Sequence, residues 1–268
     1  MARSPKGTAY EMHGPAGAPV VALVHGLGLN RATWQWLVPV LADRFLVLSY
    51  DLLGHGESAA PPPEPGLATL GAQLIGLMDH LGIGKAAVVG FSLGGMVARR
   101  IAIDHPARVT ALGILHSPHA RTPEAQAAIV KRVDQARAEG PRATVEAALV
   151  RWFTDGYRAT HPQMMDLVRG WVLANDPAIY PALYRILAEG VAEIVAPDPP
   201  IACPAFVVTG DEDYGNGPEM SRAIAGEIEG SELVILPGLR HMALAEAPDA
   251  VNRPLAAFLD RVLLGRAS

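Results

Sequence analysis

The chain has one cysteine, Cys203, in 268 residues, which excludes an internal disulfide framework. Cys203 precedes Pro204 and an apolar run, so it reads as a buried structural thiol. A single thiol agrees with a reducing cytoplasm as the compartment. Charge is also scarce: 18% of residues are charged and the formal net charge is −5. That balance offers no electrostatic case for nucleic acid. No apolar run approaches the length of a membrane span, and residues 1–7 have no apolar segment behind them, so neither a membrane helix nor a signal peptide is expected. Spaced metal ligands of the H-E-x-x-H type are missing, as are internal repeats and low-complexity tracts.

What the chain does have is apolar surface to bury. Half of its residues are hydrophobic, enough for one large α/β domain or for one domain with an inserted subdomain. Six short apolar runs, at 20–24, 45–50, 86–89, 109–115, 205–209 and 233–236, suit strands covered on both faces. Helical patterns at 67–81, 93–103, 218–228 and 248–264 lie between and after them. The alternation predicts right-handed crossovers and a doubly wound, mostly parallel sheet. From about Pro118 to Pro200 no strand pattern occurs. Instead four helical stretches are expected, with Pro123, Pro141, Pro162 and Pro177 near their starts and Thr122 and Asp176 as N-caps for two of them. The predicted organisation is a core of 1–117 and 201–268 with a helical insertion at 118–200. The insertion is too long to be a loop and belongs over the C-terminal sheet edge, where open α/β folds bind ligands.

Gly90-Phe91-Ser92-Leu93-Gly94-Gly95 joins the third apolar run to a helix. In a G-x-S-x-G elbow the serine backbone is strained and its hydroxyl projects above the sheet, with the helix N-terminus beneath it. A serine hydroxyl needs a base and an acid to orient that base. His241, before the last helix, is the candidate base. Asp213, just past the fifth apolar run, is the candidate acid, with Asp211 as the alternative. The backbone N–H groups of Leu27, in His25-Gly26-Leu27-Gly28, and of Leu93 are the candidate oxyanion donors. His25 reads as shaping that turn, and His55, between Gly54 and Gly56, as part of a tight turn and not a metal site. Trp34, His116, Arg151 and Trp152 are candidate pocket residues. A guanidinium at Arg151 matches a carboxylate, although the ordinary reading of such an arginine is a solvated surface charge.

Two nucleotide signals fail on inspection. Gly26-x-Gly28 with Asp51 mimics a dinucleotide fingerprint, but Arg31 stands where the third glycine belongs. Gly82-Ile83-Gly84-Lys85 precedes a strand, where a P-loop follows one.

Five segments in order therefore resemble an α/β-hydrolase: His25-Gly26-Leu27-Gly28, residues 51–58 from Asp51 to Ser58, the serine elbow, Gly210-x-x-Asp213 and Gly238-x-x-His241. The elbow, together with Arg151-Trp152-Phe153-Thr154 and His161-Pro162 in the insertion, is similar to 3-oxoadipate enol-lactonases, which hydrolyse a small acidic enol-lactone without a metal or organic cofactor. Two positions depart from that family: Leu53 replaces an arginine, and the acid loop from Asp213 to Pro218 is lengthened. The resemblance implies a cofactor-independent serine hydrolase acting on a small-molecule ester or lactone, with no cofactor, metal, nucleic acid or membrane. A second copy of the chain in a homo-oligomer stays open as a partner. The alternatives are a C–C bond hydrolase of ring-cleavage products and a ligand receptor on a hydrolase scaffold.

Overall fold

The computed structural model describes residues 2–265; Met1 and residues 266–268, the outer ends of the expected core, lie outside them. Eight strands form one sheet: β1 (Ala2–Arg3), β2 (Ala9–His13), β3 (Val20–Val24), β4 (Leu46–Tyr50), β5 (Ala86–Phe91), β6 (Val109–Leu115), β7 (Ala205–Gly210) and β8 (Glu232–Leu236). Their spatial order is β1-β2-β4-β3-β5-β6-β7-β8. From β4 to β8 every neighbouring pair is parallel. β1 and β2 add an antiparallel edge that the apolar runs did not announce. The reason is visible in burial: β1 is exposed, and β2 grades from buried to exposed along its length.

The six runs are apolar because both faces of the sheet are covered. Along a strand successive side chains alternate faces. Ala22, Val24 and Val88 pack on one side against α2 (Leu67–His80) and α3 (Leu93–Asp104). Val21, Leu23 and Val89 pack on the other against α11 (Pro248–Leu264) and Leu41 of α1 (Val38–Leu41).

Between β6 and β7 the chain runs through α4 (Pro123–Glu139), α5 (Val145–Trp152), α6 (Asp155–Thr160), α7 (Pro162–Leu173) and α8 (Tyr180–Glu189). Thr122 caps α4, its hydroxyl accepting the Ala125 N–H at 3.2 Å. Two of the expected helices differ. Pro141 lies in a 3₁₀ turn, Gly140–Ala143, that precedes α5. Asp176 accepts the Ala178 N–H at 2.8 Å, which holds a turn, and α8 begins later with Pro181 in its first turn. A fifth helix arises because Thr154 caps a new start, accepting the Tyr157 N–H at 3.3 Å.

The remaining helices are α9 (Pro218–Gly226) and α10 (Ala243–Glu246). Among the described residues no helix is long and apolar enough to cross a membrane. Ser92, His116, Asp213, His241 and the 25–29 loop all follow C-terminal strand ends, so the parallel sheet brings them to one edge.

Candidate active site

Ser92 links β5 to α3 with φ 55° and ψ −114°, a backbone conformation that costs a non-glycine residue energy. The turn is held from both sides: Ser92 N–H donates to Leu115 O at 2.8 Å, and the Ser117 hydroxyl donates to Ser92 O at 3.0 Å. The glycines around Ser92 are dictated by contact. A Cβ on Gly90 would lie 2.1 Å from Gly94 O, and one on Gly94 would lie 1.9 Å from Val24 O. Leu93 opens α3, so its N–H is among the four that have no partner within the helix.

His241 Nδ1 lies 2.7 Å from Asp213 Oδ2. The same oxygen lies 3.1 Å from His116 Nδ1. Asp213 Oδ1 accepts the N–H groups of Gly215 at 3.1 Å and Asn216 at 3.0 Å. The lengthened acid loop thus curls its own backbone donors around the carboxylate. Asn216 is pinned in turn, its side chain donating to His116 O and its carbonyl accepting from the Thr209 hydroxyl, each at 2.8 Å. Burial alone would push the Asp213 carboxyl up. The charge of His241 and the hydrogen bonds from His116 and His241 outweigh it and hold the group far below the ordinary carboxylate range. An ionised carboxylate only accepts, so each histidine donates from Nδ1–H and keeps an unprotonated Nε2 when neutral. Burial pushes His116 down, against its bond to Asp213, which keeps that ring neutral.

Asp211 goes elsewhere: its Oδ1 accepts the Gly238 N–H at 2.7 Å. His116, Asp213 and His241 are the group among the described residues whose ligand atoms, within 4.8 Å of one another, lie close enough to hold a metal ion. Their Nδ1 and Oδ2 atoms already face one another in hydrogen bonds, so a cation there would have to displace them.

The 25–29 loop is laced to the 51–55 turn by two histidines. His25 Nε2 accepts the Leu52 N–H at 2.9 Å while its Nδ1 faces Gly26 O at 2.8 Å. His55 Nε2 accepts the Gly28 N–H at 3.0 Å and its Nδ1 faces Leu53 O at 3.2 Å. These partners assign the neutral Nδ1–H tautomer to both rings. Leu27 therefore sits on a loop fixed at the residues on either side of it.

The strand-end loops and the helical segment line one cavity, with about 780 Å³ of atom-free space including its mouth. Ser92, Asp213, His241, Gly26 and Leu27 form its floor side; Arg151 and Trp152 reach it from α5. The Trp152 and His241 rings are 6.0 Å apart. Trp34 and His116 do not line it. Trp34 is fully buried in the core against one face of the sheet. His116 is fully buried behind Asp213, which turns its ring to the carboxylate and away from the cavity. The lining residues that escaped the sequence reading include Arg121, Arg132, Tyr180 and Tyr184. Arg132 had a usable signal. It falls at helical spacing among Ile129, Val133 and Ala136, the buried stripe of α4, where a solvated arginine has no reason to be.

A family model described as the alpha/beta hydrolase fold matches residues 19–248. The chain is 28% identical to an (E)-2-((N-methylformamido)methylene)succinate hydrolase of Acinetobacter baylyi, covering 94% of each chain. It is 29% identical to 3-oxoadipate enol-lactonase 2 of the same organism, covering 94% of this chain and 92% of that one. Among solved structures, a thermophilic esterase from Thermogutta terrifontis with malate bound superposes with a TM-score of 0.85 at 29% identity, covering 96% of this chain and 94% of that one. With the sheet order, the serine elbow and a match spanning most of its length, the chain belongs to the alpha/beta hydrolase fold family.

Proposed function

We propose that the protein is a serine hydrolase that cleaves a small carboxylic ester or lactone, enol-lactones included, through an acyl-enzyme. One observation carries the reading: Ser92, on a strained turn, shares a cavity with His241, whose Nδ1 is 2.7 Å from the buried, ionised Asp213. The relatives support the substrate class, since all three are named with an acid: a succinate derivative, 3-oxoadipate and malate.

In this mechanism Ser92 Oγ attacks the carbonyl carbon while His241 Nε2 takes its proton. Asp213 stabilises the imidazolium and stays ionised. The N–H groups of Leu27 and Leu93 receive the oxyanion, and losing one such donor typically costs about 2.7–4 kcal/mol of barrier. His241 then protonates the leaving oxygen as its bond to the acyl carbon breaks. Water attacks the acyl-enzyme, His241 taking its proton and returning one to Ser92. In a lactone the leaving oxygen stays tethered, so the product is a single ring-opened acid. Residues 118–200 act as a lid that shapes the cavity, with Trp152 over His241. A single half-buried thiol, pushed up to about 11 mainly by burial, fits a reducing cytoplasm.

Ser92→Ala is expected to lower kcat on 4-nitrophenyl acetate by at least about 10⁴-fold, with the fold intact by circular dichroism. Turnover equal to that of the unaltered protein would end the proposal.

A further inference from the structure

Three guanidiniums face the cavity that holds Ser92: Arg121 just before α4, Arg132 on α4 and Arg151 on α5. Their surroundings differ from those of the other inward-facing arginines. Arg99 meets Glu227, Arg240 meets Asp155, and Arg31 meets Glu11, Asp51 and Glu57. Among the described residues none of the three cavity arginines has an acidic side chain within 4.0 Å. Arg121 donates to the carbonyls of Ala188 at 3.2 Å and Leu187 at 3.0 Å, and Arg151 to that of Ala147 at 2.9 Å. Arg132 Nε is buried with no hydrogen-bond partner. Asp213 shares the cavity, but its oxygens are taken by His241, His116, Gly215 and Asn216.

The three cations also press on one another. Burial first, and then the charge of Arg132, pull Arg121 down to about 10 and lower Arg151 as well. A guanidinium stays protonated regardless. Like charges drawn out of water without a counter-ion are unfavourable, so the cluster is built for an anion that arrives from outside. The backbone bonds of Arg121 and Arg151 orient two of the forks and leave most of their five donors each unused.

One carboxylate fills one guanidinium fork in bidentate fashion. A single carboxylate therefore leaves most of this cluster unmatched, and the carbonyl to be cleaved must lie at Ser92 instead. We infer that the cavity takes a dianionic substrate, an ester or lactone bearing two free carboxylates, which Arg121, Arg132 and Arg151 hold while its third carbonyl lies at Ser92. The inference rests on the serine-hydrolase reading for the position of that carbonyl. The apolar walls, Ile129, Ala148, Val172 and Leu187, fit a short carbon skeleton between the charged groups.

The test uses three esters with one leaving group. They are the terminal mono-4-nitrophenyl ester of tricarballylate, with two free carboxylates; mono-4-nitrophenyl glutarate, with one; and the dimethyl ester of the first, matched in shape and neutral. For the unaltered protein kcat/KM is expected to rise by about tenfold or more with each carboxylate. In Arg132→Gln the ratio of dianion to monoanion is expected to collapse, mainly through KM. Calorimetry with the terminal monoamides of tricarballylate and glutarate, acids that carry two and one free carboxylates, gives a readout independent of turnover, with the dianion expected to bind at least about tenfold more tightly. A neutral ester cleaved as well as the charged ones, or equal binding of the two acids, overturns the inference, and both measurements on the unaltered protein stand even if Arg132→Gln does not fold. If no ester is cleaved faster than by Ser92→Ala, the hydrolase reading falls, and the binding comparison still decides whether the cluster is a dianion site.

Discussion

Asp213 accepts more hydrogen bonds than the orientation of one histidine requires. His116 competes with His241 for Oδ2, while Gly215 and Asn216 hold Oδ1. His116 is in the left-handed region, with φ 49°, and its carbonyl and N–H are both engaged, by Asn216 and by Val208 at 2.7 Å. Its ring is thus placed by backbone, and its Nδ1 donates to the carboxylate with the Thr209 hydroxyl 3.4 Å away. Removing that donor leaves a carboxylate that holds the His241 imidazolium more strongly. His116→Gly, which has no side-chain donor and takes positive φ freely, is expected to move the acid limb of the kcat/KM profile to higher pH and to leave the plateau rate within about tenfold. A pH–rate profile with 4-nitrophenyl acetate measures this; an unmoved limb would reduce His116 to packing. His116 is 97 residues from Asp213 in sequence, and no local pattern pairs them.

At the scale of elements, the elbow was legible because its requirements are local. Gly94 is needed for its lack of a side chain, with Val24 O where a Cβ would go. Gly94→Ala is expected to destabilise the protein by about 3 kcal/mol or more. Gly170 is the contrast: it sits within α7 with nothing within 4 Å of a Cβ, so Gly170→Ala is expected to stabilise by about 0.8–1 kcal/mol. Urea unfolding of the two variants measures both signs. The helical segment was legible as helix, through Thr122 and the prolines, but not in its attachments. Arg240, beside His241, donates to Phe153 O at 2.9 Å and Val150 O at 3.1 Å, and Met242 N–H donates to Trp152 O at 2.8 Å. Those bonds tie the end of α5 to the histidine loop across about ninety positions of chain.

Over the whole molecule, the two buried histidines couple loop integrity to pH. Burial is the main cause that lowers His25 to about 4 and His55 to about 3. A histidine in the unfolded chain titrates near 6.5. Between those values the unfolded chain binds more protons than the native one, so stability is full above about pH 6.5 and falls as pH drops toward 4. Each ring contributes up to about 1.4 kcal/mol per pH unit in that window. Asp213 adds little slope above about pH 5, where its carboxyl is ionised in both states; below that its contribution is lost progressively, as the unfolded carboxyl takes up protons first. Urea midpoints measured from pH 7 to 4.5 are expected to fall, and His55→Gln, which keeps an acceptor for the Gly28 N–H, is expected to roughly halve the slope of these two groups. A flat profile would mean that the rings protonate in place.

The sequence by itself determined the six parallel strands, the sheet class and the serine turn. Apolar runs such as 20–24 and 109–115 match β3 and β6 residue for residue, because burial on two faces leaves a one-dimensional trace. The turn at Ser92 needs only its neighbours to be small. Tertiary structure alone decided the rest: that the edge strands β1 and β2 run antiparallel, that Asp213 and not Asp211 meets His241, that Trp34 is core, and that Arg121, Arg132 and Arg151 share one cavity. Those outcomes depend on how layers of the molecule stack over one another. Residues far apart in the chain are brought together by that stacking, and spacing along the sequence carries no record of it.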